Sequence, residues 1–271
     1  MLSVETTAAR PFVKWVGGKR QLLDRIMRYV PDRFGTYHEP FVGGGALFFH
    51  LQPRSAILAD SNERLIRTYR GIRDEPERVI ELLRGYPHEK SFFLEMRTVD
   101  IDAAESDAIV AAWFIYLNKT AYNGLYRVNR SNLFNVPFGD QKNPNICDAD
   151  NIRACSRALK GAKLEIGDFE AVLERAEAGD FVYFDPPYVP LSVTSDFTSY
   201  THDGFDMSDQ VRLRDVAREL KKRKVHVLVS NSSAPAVREL YSDFEQIEVG
   251  ARRAINCKAN GRGEVAELLI R

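Results

Sequence analysis

One stretch near the middle of the chain constrains the fold more than any other. The residues Phe181-Val182-Tyr183-Phe184 form a short apolar run bounded by polar residues, which is typical of a buried parallel strand. The run continues into Asp185-Pro186-Pro187-Tyr188, and consecutive prolines cannot extend a strand. The chain must therefore turn out of the sheet at Asp185. Because ligands bind at the carboxyl ends of strands in open α/β sheets, this elbow is a candidate site.

The elbow carries groups that suit one kind of chemistry. The exocyclic amine of a nucleobase is a poor nucleophile, because its lone pair is delocalised into the ring. Acceptors for its two hydrogens, here the Asp185 carboxylate and the Pro186 carbonyl, would favour the more nucleophilic, tetrahedral nitrogen, and Tyr188 would stack on the base. Alternatively, the stretch is an ordinary strand-to-turn junction with Tyr188 packed in the core. The string alone does not decide between these two interpretations.

Composition narrows the class of protein. The chain of 271 residues is long enough for one large α/β domain, or for one domain with an insertion. Its formal net charge of +0 means that a polyanion would have to bind a local basic patch. Three cysteines without a CxxC pair and five histidines without ligand spacing indicate neither disulfides nor a metal site. With no signal-peptide core and no membrane span, we expect a soluble, cytoplasmic protein that does not bind membranes.

The first sixty residues contain two glycine motifs. Trp15-Val16-Gly17-Gly18-Lys19 precedes a helical pattern over residues 21–29. A predicted strand at 37–41 then runs into Gly43-Gly44-Gly45 and a helical pattern at 46–51. Strand, glycine loop and helix present backbone to a nucleoside, although the spacing matches neither the dinucleotide fingerprint nor a P-loop.

A second predicted strand, residues 56–60, ends in an acid. A carboxylate at the tip of this strand is placed to accept hydrogen bonds from ribose hydroxyls. Alternatively, Asp60 only caps the helix that begins near Asn62. The two roles are compatible.

The pattern changes between about residue 65 and residue 160. Helical segments are predicted at 76–84, 90–99 and 105–118, and a long loop follows from 119 to 139. Asn, Gly and Pro are dense in this loop, yet aromatic and basic residues are interleaved among them. Nucleic-acid surfaces need both, since cations contact phosphates and base edges while rings stack on bases. Alternatively, Tyr122 and Tyr126 anchor the loop to the core.

The α/β alternation resumes after the loop. A strand at 162–166 leads to Gly167-Asp168-Phe169, and the elbow strand follows. A helix is predicted at 207–223, a strand at 225–231, and two closing strands at 244–249 and 265–270. A terminal hairpin is expected for the methyltransferase variant of the doubly wound sheet, which carries one antiparallel strand.

Several blocks, in order along the chain, resemble one family. They are FVKWVGGKRQLL, HEPFVGGGALFF, ILAD, NGLYRVN…FNVPFGD, GDF, DPPYVPLSVTSDFTSY and VLVSNS. Together they resemble the Dam-like DNA adenine methyltransferases (D12 class, group alpha). The resemblance implies an α/β fold, with a Rossmann-like doubly wound sheet carrying one antiparallel strand and an inserted, mostly helical target-recognition domain. It also implies site-specific methylation of adenine N6 with S-adenosylmethionine as cofactor.

The resemblance assigns roles position by position. The implied catalytic elbow consists of Asp185, Pro186, Pro187 and Tyr188. Residues implied to bind the cofactor are Trp15, Lys19, Phe41, Gly43, Gly45, Asp60 (at the ribose), Asp168 and Phe169 (at the adenine), and Asp185. Residues implied to contact DNA are Lys14, Tyr122, Asn123, Leu125, Arg127 and Pro137.

The resemblance further implies a division of the chain and a mode of action. Residues 1–64 and 161–271 would form the catalytic domain, and 65–160 the target-recognition insertion. The target adenine would be flipped out of double-stranded DNA, the expected partner, and no obligate protein partner is implied. GATC is the expected recognition sequence, read in the major groove by Leu125 and Arg127.

Three other functions are compatible with part of the pattern. A methyltransferase acting on protein amide nitrogens also uses a proline elbow, but typically with Asn in place of Asp185. An RNA adenine methyltransferase would share the cofactor half, but would not be expected to carry the NGLYRVN…FNVPFG insertion. A non-catalytic DNA-binding relative would have lost cofactor or elbow residues, which this chain retains.

Overall fold

The structure, a computed structural model, describes residues 7–189, 205–252 and 264–271. These residues group into two compact units. The first unit contains residues 7–18, 43–52 and 60–166, and the second contains 19–42, 53–59 and the described residues from 167 onward. The predicted insertion, 65–160, lies wholly within the first unit. The predicted domain boundaries themselves stay a prediction.

One sheet contains the seven strands of the described chain, in the order β3-β2-β1-β4-β5-β7-β6. The strands are β1 (Tyr37–Glu39), β2 (Ala56–Asp60), β3 (Ala162–Ile166), β4 (Phe181–Phe184), β5 (His226–Ser232), β6 (Gln246–Arg252) and β7 (Glu264–Ile270). β1 pairs with β2 and β4 in parallel, and β4 pairs with β5 in parallel. β7 runs antiparallel to both of its neighbours. The predicted doubly wound sheet with one antiparallel strand is therefore confirmed.

Helices occupy most of the remaining described chain. They are α1 (Leu23–Ile26), α2 (Ala46–Leu51), α3 (Glu63–Asp74), α4 (Pro76–Gly85), α5 (Lys90–Met96), α6 (Asp107–Thr120), α7 (Ala149–Leu159), α8 (Met207–Lys222) and α9 (Pro235–Leu240). Short 3₁₀ segments lie at Lys19–Gln21, Met27–Tyr29, Tyr122–Gly124 and Phe169–Glu174. The helix predicted at 21–29 is therefore split into short pieces. Neither α7 nor α9 was predicted from the sequence pattern.

The elbow strand, β4, lies in the hydrophobic core of the second unit. All four residues of β4 are buried, as its uninterrupted apolar run predicts. The buried apolar residues of α8 are spaced three and four apart, so they form one face of the helix. They belong to the same hydrophobic cluster as alternate residues of β4 and β5, namely Val182, Phe184, Val227 and Val229. Burial on all sides makes β4 a rigid base for the residues that follow it.

The first unit is built around α6. Most residues of this helix are buried all round, and the Trp113 indole N–H donates to the carbonyl of Met96 (2.7 Å). α3 lies so close to the start of α6 that a Cβ on Gly71 would overlap the carbonyl oxygen of Asp107. α6 has 14 residues, and no helix in the described part of the chain is long and apolar enough to cross a membrane.

Candidate active site

The backbone of the elbow is held by a buried pair of amide side chains. Pro186 is buried, whereas Pro187 is exposed and its carbonyl accepts a hydrogen bond from Gln210 Nε2 of α8 (3.0 Å). The Oε1 atom of Gln210 accepts in turn from Asn231 Nδ2 of β5 (2.9 Å). Gln210 is 2% exposed and Asn231 is 0% exposed, so water does not compete for these bonds. The turn after β4 is therefore tied to both α8 and β5.

The acid and the ring of the elbow share one lysine. Lys19 Nζ lies 2.8 Å from Asp185 Oδ1 and 4.6 Å from the centre of the Tyr188 ring. The Tyr188 hydroxyl donates to Glu267 Oε2 of β7 (2.8 Å). The Lys19 side chain is 4% exposed and that of Asp185 is 20% exposed. The elbow thus presents a carboxylate held by the buried Lys19 and an aromatic ring held by Lys19 and Glu267.

The protonation of these groups follows from burial. Burial raises the pKa of Asp185, the charge of Lys19 opposes that rise, and the nearby Glu267 adds to it. Burial also raises the pKa of Tyr188 well above its usual value, and Asp185 and Glu267 raise it further. Tyr188 is therefore neutral at physiological pH, and its hydroxyl remains a hydrogen-bond donor.

Two more tyrosines carry buried hydroxyls in the strands beside the elbow. The Tyr183 hydroxyl of β4 lies 2.8 Å from Ser230 Oγ, and the Tyr37 hydroxyl of β1 donates to Glu39 Oε2 (2.9 Å). Burial raises the pKa of both tyrosines well above the usual value, with Glu39 adding most to Tyr37 and the Asp185 carboxylate adding most to Tyr183. Glu39 is 3% exposed. The polar character of the elbow therefore extends into the core of the second unit.

Sequence reasoning did not single out Glu39, Gln210, Asn231 or Glu267. Two of them had a signal, because Glu39 and Glu267 are acids inside or at the end of predicted strands, where a charge needs a partner. The other two are neutral amides, whose partners are distant in sequence and leave no local pattern.

The glycine loop of the first unit orients Asp60. Gly43 and Gly45 have positive φ angles of 46° and 64°. The Gly43 N–H donates to Asp60 Oδ2 (3.0 Å), and the Asn62 N–H donates to Asp60 Oδ1 (2.9 Å). The side chain that caps α3 is Asn62, which accepts from the Leu65 N–H (3.1 Å). The alternative that Asp60 serves only as a helix cap is therefore wrong.

Trp15 packs against this loop so closely that position 43 must be glycine. A Cβ at Gly43 would lie 2.6 Å from Trp15 Nε1. The Trp15 ring stacks on Phe114 and Tyr126, with centroid distances of 6.3 Å and 6.2 Å. The Tyr69 hydroxyl donates to the Gly43 carbonyl (3.0 Å). The structure thus brings Trp15, Gly43, Gly45 and Asp60 together in the first unit.

Asp168, Phe169 and Phe41 lie together in the second unit. Asp168 Oδ1 accepts from the Glu170 N–H (2.9 Å) and from Arg212 Nη2 (3.1 Å). The Phe169 ring is 3% exposed, stacks on Phe41 at 5.4 Å, and has the Arg212 guanidinium 5.0 Å from its centre. Phe169 is therefore a core residue, whereas Phe41 is only partly buried. Their cofactor roles stay predictions.

The residues predicted to contact DNA lie in the first unit, and hydrogen bonds connect several of their segments. The Asn118 side chain of α6 accepts from the Lys14 N–H (2.9 Å) and donates to the carbonyls of Lys14 (2.9 Å) and Gly124 (2.7 Å). The Tyr122 N–H donates to the Pro137 carbonyl (2.9 Å). Asn118 is buried, and it ties the Lys14 segment to the 3₁₀ segment that contains Tyr122 and Asn123.

The two tyrosines of the loop have different roles. Tyr126 stacks on Phe114 at 4.4 Å and anchors the loop, whereas Tyr122 is 51% exposed. Arg127 is exposed, and its Nε donates to Asn135 Oδ1 (2.7 Å). The serine-threonine stretch at 190–204, part of the resemblance, lies outside the described residues.

Comparison with known proteins decides the family. Residues 15–255 match the family described as D12 class N6 adenine-specific DNA methyltransferase. The chain belongs to this family. A relative from Lactococcus lactis subsp. cremoris, Type II methyltransferase M1.LlaDCHI, is 47% identical over 96% of this chain and 94% of the relative. Type II methyltransferase M.MjaIII of Methanocaldococcus jannaschii is 42% identical, over 96% and 98% of the two chains.

A third relative, the DNA adenine methylase of Vibrio cholerae, is 35% identical over 96% of this chain and 95% of its own. The chain is an adenine-specific DNA methyltransferase, and its family methylates adenine at N6. Membership in this D12 class sets aside the protein-amide and RNA alternatives, and also the alternative of a non-catalytic binding protein.

The ion pair at the elbow of this methyltransferase makes stability depend on pH. In Lys19→Met the cation that lowers the pKa of Asp185 is lost, so this pKa rises further above its unfolded value. A raised carboxyl pKa costs stability as pH rises, so the variant's deficit is largest at neutral pH and shrinks at acid pH. Breaking this buried ion pair should lower the free energy of unfolding by about 3 kcal/mol at neutral pH. Urea unfolding of the wild type and the variant, at neutral and at acid pH, measures this loss.

Lys222→Met is the matched control for Lys19→Met. Lys222 is a lysine of α8 whose side chain is 69% exposed, so its loss should change the free energy of unfolding little at either pH. An equal deficit for Lys19→Met at neutral and acid pH would contradict the electrostatic role of Lys19.

Proposed function

We propose that this methyltransferase uses S-adenosylmethionine to methylate N6 of an adenine flipped out of duplex DNA, within the sequence GATC. The observation that carries the proposal is the elbow after β4. There a buried lysine holds the Asp185 carboxylate, and Glu267 holds the hydroxyl of Tyr188. A carboxylate, a backbone carbonyl and an aromatic ring thus lie together at the carboxyl end of a parallel strand, the edge at which ligands bind in open α/β sheets.

The residues of the first unit suit the nucleoside part of such a cofactor. Two backbone N–H groups donate to the Asp60 carboxylate and orient it, and a carboxylate accepts hydrogen bonds from hydroxyl groups. Gly43 and Gly45 adopt positive φ angles, which glycine takes without strain and which shape the loop beside that carboxylate. Asp60 therefore has the chemistry to accept ribose hydroxyls. When bound, S-adenosylmethionine supplies a methyl group activated by a sulfonium sulfur.

In the second unit, Asp168 and Phe41 carry groups that suit an adenine ring. The Asp168 side chain is 52% exposed, although one of its oxygens is bonded, and a carboxylate accepts from an exocyclic amine. Phe41 supplies a partly buried aromatic ring. The buried Phe169 would contribute by supporting Phe41.

Asp60→Ala tests the role of Asp60. Losing hydrogen bonds to a charged acceptor costs about 1.5–3 kcal/mol, so S-adenosylmethionine should bind about 10- to 100-fold more weakly. Calorimetry measures this affinity, and DNA affinity should change much less. Asp74→Ala is the control, because Asp74 is an exposed acid of the same unit that pairs with Arg73. Unchanged cofactor affinity in Asp60→Ala would show that this acid only orients the loop.

The elbow performs its chemistry on the flipped base. Flipping costs a few kcal/mol, and stacking on Tyr188 together with hydrogen bonds at the base edge offsets this cost. The Asp185 carboxylate and the Pro186 carbonyl would accept hydrogen bonds from the two N6–H groups and make the nitrogen lone pair available. As the N6–methyl bond forms, the sulfur–methyl bond of the cofactor would break to leave a neutral thioether, and the nitrogen would lose one proton. Because Asp185 is held by Lys19 and the turn is held by Gln210, both acceptors are positioned before the base arrives.

Asp185→Ala should remove methyl transfer while leaving S-adenosylmethionine affinity within about threefold of the wild type. The reason is that Asp185 accepts from the target amine, so its loss destabilises the transition state of methyl transfer more than the bound cofactor. Single-turnover assays with tritiated S-adenosylmethionine and GATC duplex measure the transfer, and calorimetry measures the binding. Asp243→Ala is the control, since this aspartate of the same unit is 47% exposed and pairs with Arg218. Near-normal turnover of Asp185→Ala would rule out the elbow mechanism.

Sequence recognition is proposed for the loop that carries Leu125 and Arg127. Arginine pairs bidentately with guanine, and leucine contacts the thymine methyl group. Arg127 is exposed, and its Nε donates to Asn135 Oδ1 of the same loop. Asn118 ties the Lys14 segment to this loop. The guanine opposite the cytosine of GATC is the natural partner of Arg127.

Arg127→Ala should relax the fourth base of the site, because one bidentate pair is worth about 1–3 kcal/mol of discrimination at one position. Sequencing the methylated adenines in DNA treated with each enzyme measures the preference. Arg130→Ala is the control, since Arg130 is an exposed arginine of the same loop. Loss of a mere phosphate contact weakens binding to all sites alike and leaves the preferred sequence unchanged. If the motif is not GATC, or if Arg127→Ala keeps full selectivity, the assignment is wrong.

A further inference from the structure

Glu267 is an acid on an inner strand of the sheet, directly before three buried apolar residues. It lies on β7, an inner strand, opposite Ser232 of β5 and Val249 of β6. The next three residues, Leu268, Leu269 and Ile270, are each 0% exposed. A carboxylate in such a place loses hydration, and it persists only where partners compensate. No step of the mechanism above requires a carboxylate on this strand.

The partner of Glu267 is the aromatic ring of the elbow. The Tyr188 hydroxyl donates to Glu267 Oε2 at 2.8 Å, and the charged acceptor makes this bond stronger than one between neutral groups. Lys19 Nζ lies 4.6 Å from the centre of the same ring. The ring is therefore held at two points, at its hydroxyl by Glu267 and over its face by Lys19.

We propose that Glu267 is a positioning residue for methyl transfer, which acts by holding the Tyr188 ring in the orientation that receives the flipped adenine. The inference rests on the proposed function, because it needs Tyr188 to be the stacking surface. A tyrosine side chain has two rotatable bonds, and a strong bond at its hydroxyl removes freedom from both. The stacking surface is then ordered before the base arrives, so base capture does not have to order it.

The chemistry of Tyr188 supports this role. The pKa of Tyr188 is raised by burial and by the carboxylates of Asp185 and Glu267, so the hydroxyl keeps its proton and donates a hydrogen bond to Glu267. A glutamine at position 267 also offers an oxygen acceptor to this donor, whereas alanine offers none. The pair of variants therefore separates the hydrogen bond from the mere presence of a side chain.

The test is a mutant cycle on Glu267 and Tyr188. Single-turnover rates are measured with tritiated S-adenosylmethionine and GATC duplex for Glu267→Ala, Glu267→Gln, Tyr188→Phe and the double variant Tyr188→Phe/Glu267→Ala. Loss of one charge-assisted hydrogen bond predicts about a 10- to 100-fold lower rate for Glu267→Ala and a similar loss for Tyr188→Phe. Glu267→Gln should recover most of the rate. The double variant should be no slower than Tyr188→Phe, because both changes break the same bond.

A spectroscopic measurement separates positioning from general damage to the fold. With 2-aminopurine in place of the target adenine, time-resolved fluorescence reports the fraction of flipped base that is quenched by stacking. This fraction should fall in Glu267→Ala and recover in Glu267→Gln, while S-adenosylmethionine affinity stays within about threefold in both, as expected for a residue that acts through Tyr188 alone.

Three outcomes would overturn the inference: a wild-type rate in Glu267→Ala or Tyr188→Phe, equal loss in Glu267→Gln and Glu267→Ala, or full additivity in the double variant. If Glu267→Ala does not fold, Tyr188→Phe breaks the same bond and carries the test. Asp185→Ala is measured in the same assay. A wild-type methyl-transfer rate in Asp185→Ala would overturn the elbow mechanism. A lost rate in Asp185→Ala together with a wild-type rate in Glu267→Ala would overturn only the role of Glu267.

Discussion

The ion pair between Lys19 and Asp185 is the interaction on which the elbow depends. β4 is buried along its whole length, so the side chain of the residue that follows it, Asp185, is mostly withdrawn from water and only 20% exposed. A carboxylate in this position needs a cation, and Lys19 supplies it at 2.8 Å while its own side chain remains almost wholly buried. The rigid sheet that makes the site a good platform thus also creates the electrostatic cost that Lys19 offsets.

The sequence predicted the elements that have a local pattern. The apolar run of β4, the acid at the end of β2 and the terminal antiparallel pair were all visible, and Tyr188 and Asp60 were recognised as candidate site residues. The partners of those residues were not visible. Glu267 and Gln210 reach the elbow from distant parts of the chain, and only the folded chain shows that Lys19 contacts Asp185.

Short or polar helices were also beyond sequence reasoning. α9 has six residues, too few to show a helical period, and α7 carries Asn, Cys and Ser residues that weaken its apolar face. The aromatic loop divided in a way that residue types alone do not reveal. Tyr126 and Tyr122 are the same amino acid four positions apart, yet one stacks on Phe114 and the other is half exposed. Tyr126 is partly buried because its ring stacks on Phe114 of α6.

The amide pair of Gln210 and Asn231 gives the elbow a second property. The groups that hold the Pro187 carbonyl do not titrate, whereas the groups that hold Asp185 and Tyr188 are charged. Acid that protonates Asp185 therefore removes a charge from its pair with Lys19, but it titrates neither amide that holds the Pro187 carbonyl. The turn is held by neutral bonds at its backbone and by charged bonds at its side chains, so substitutions can address the two kinds of bond separately.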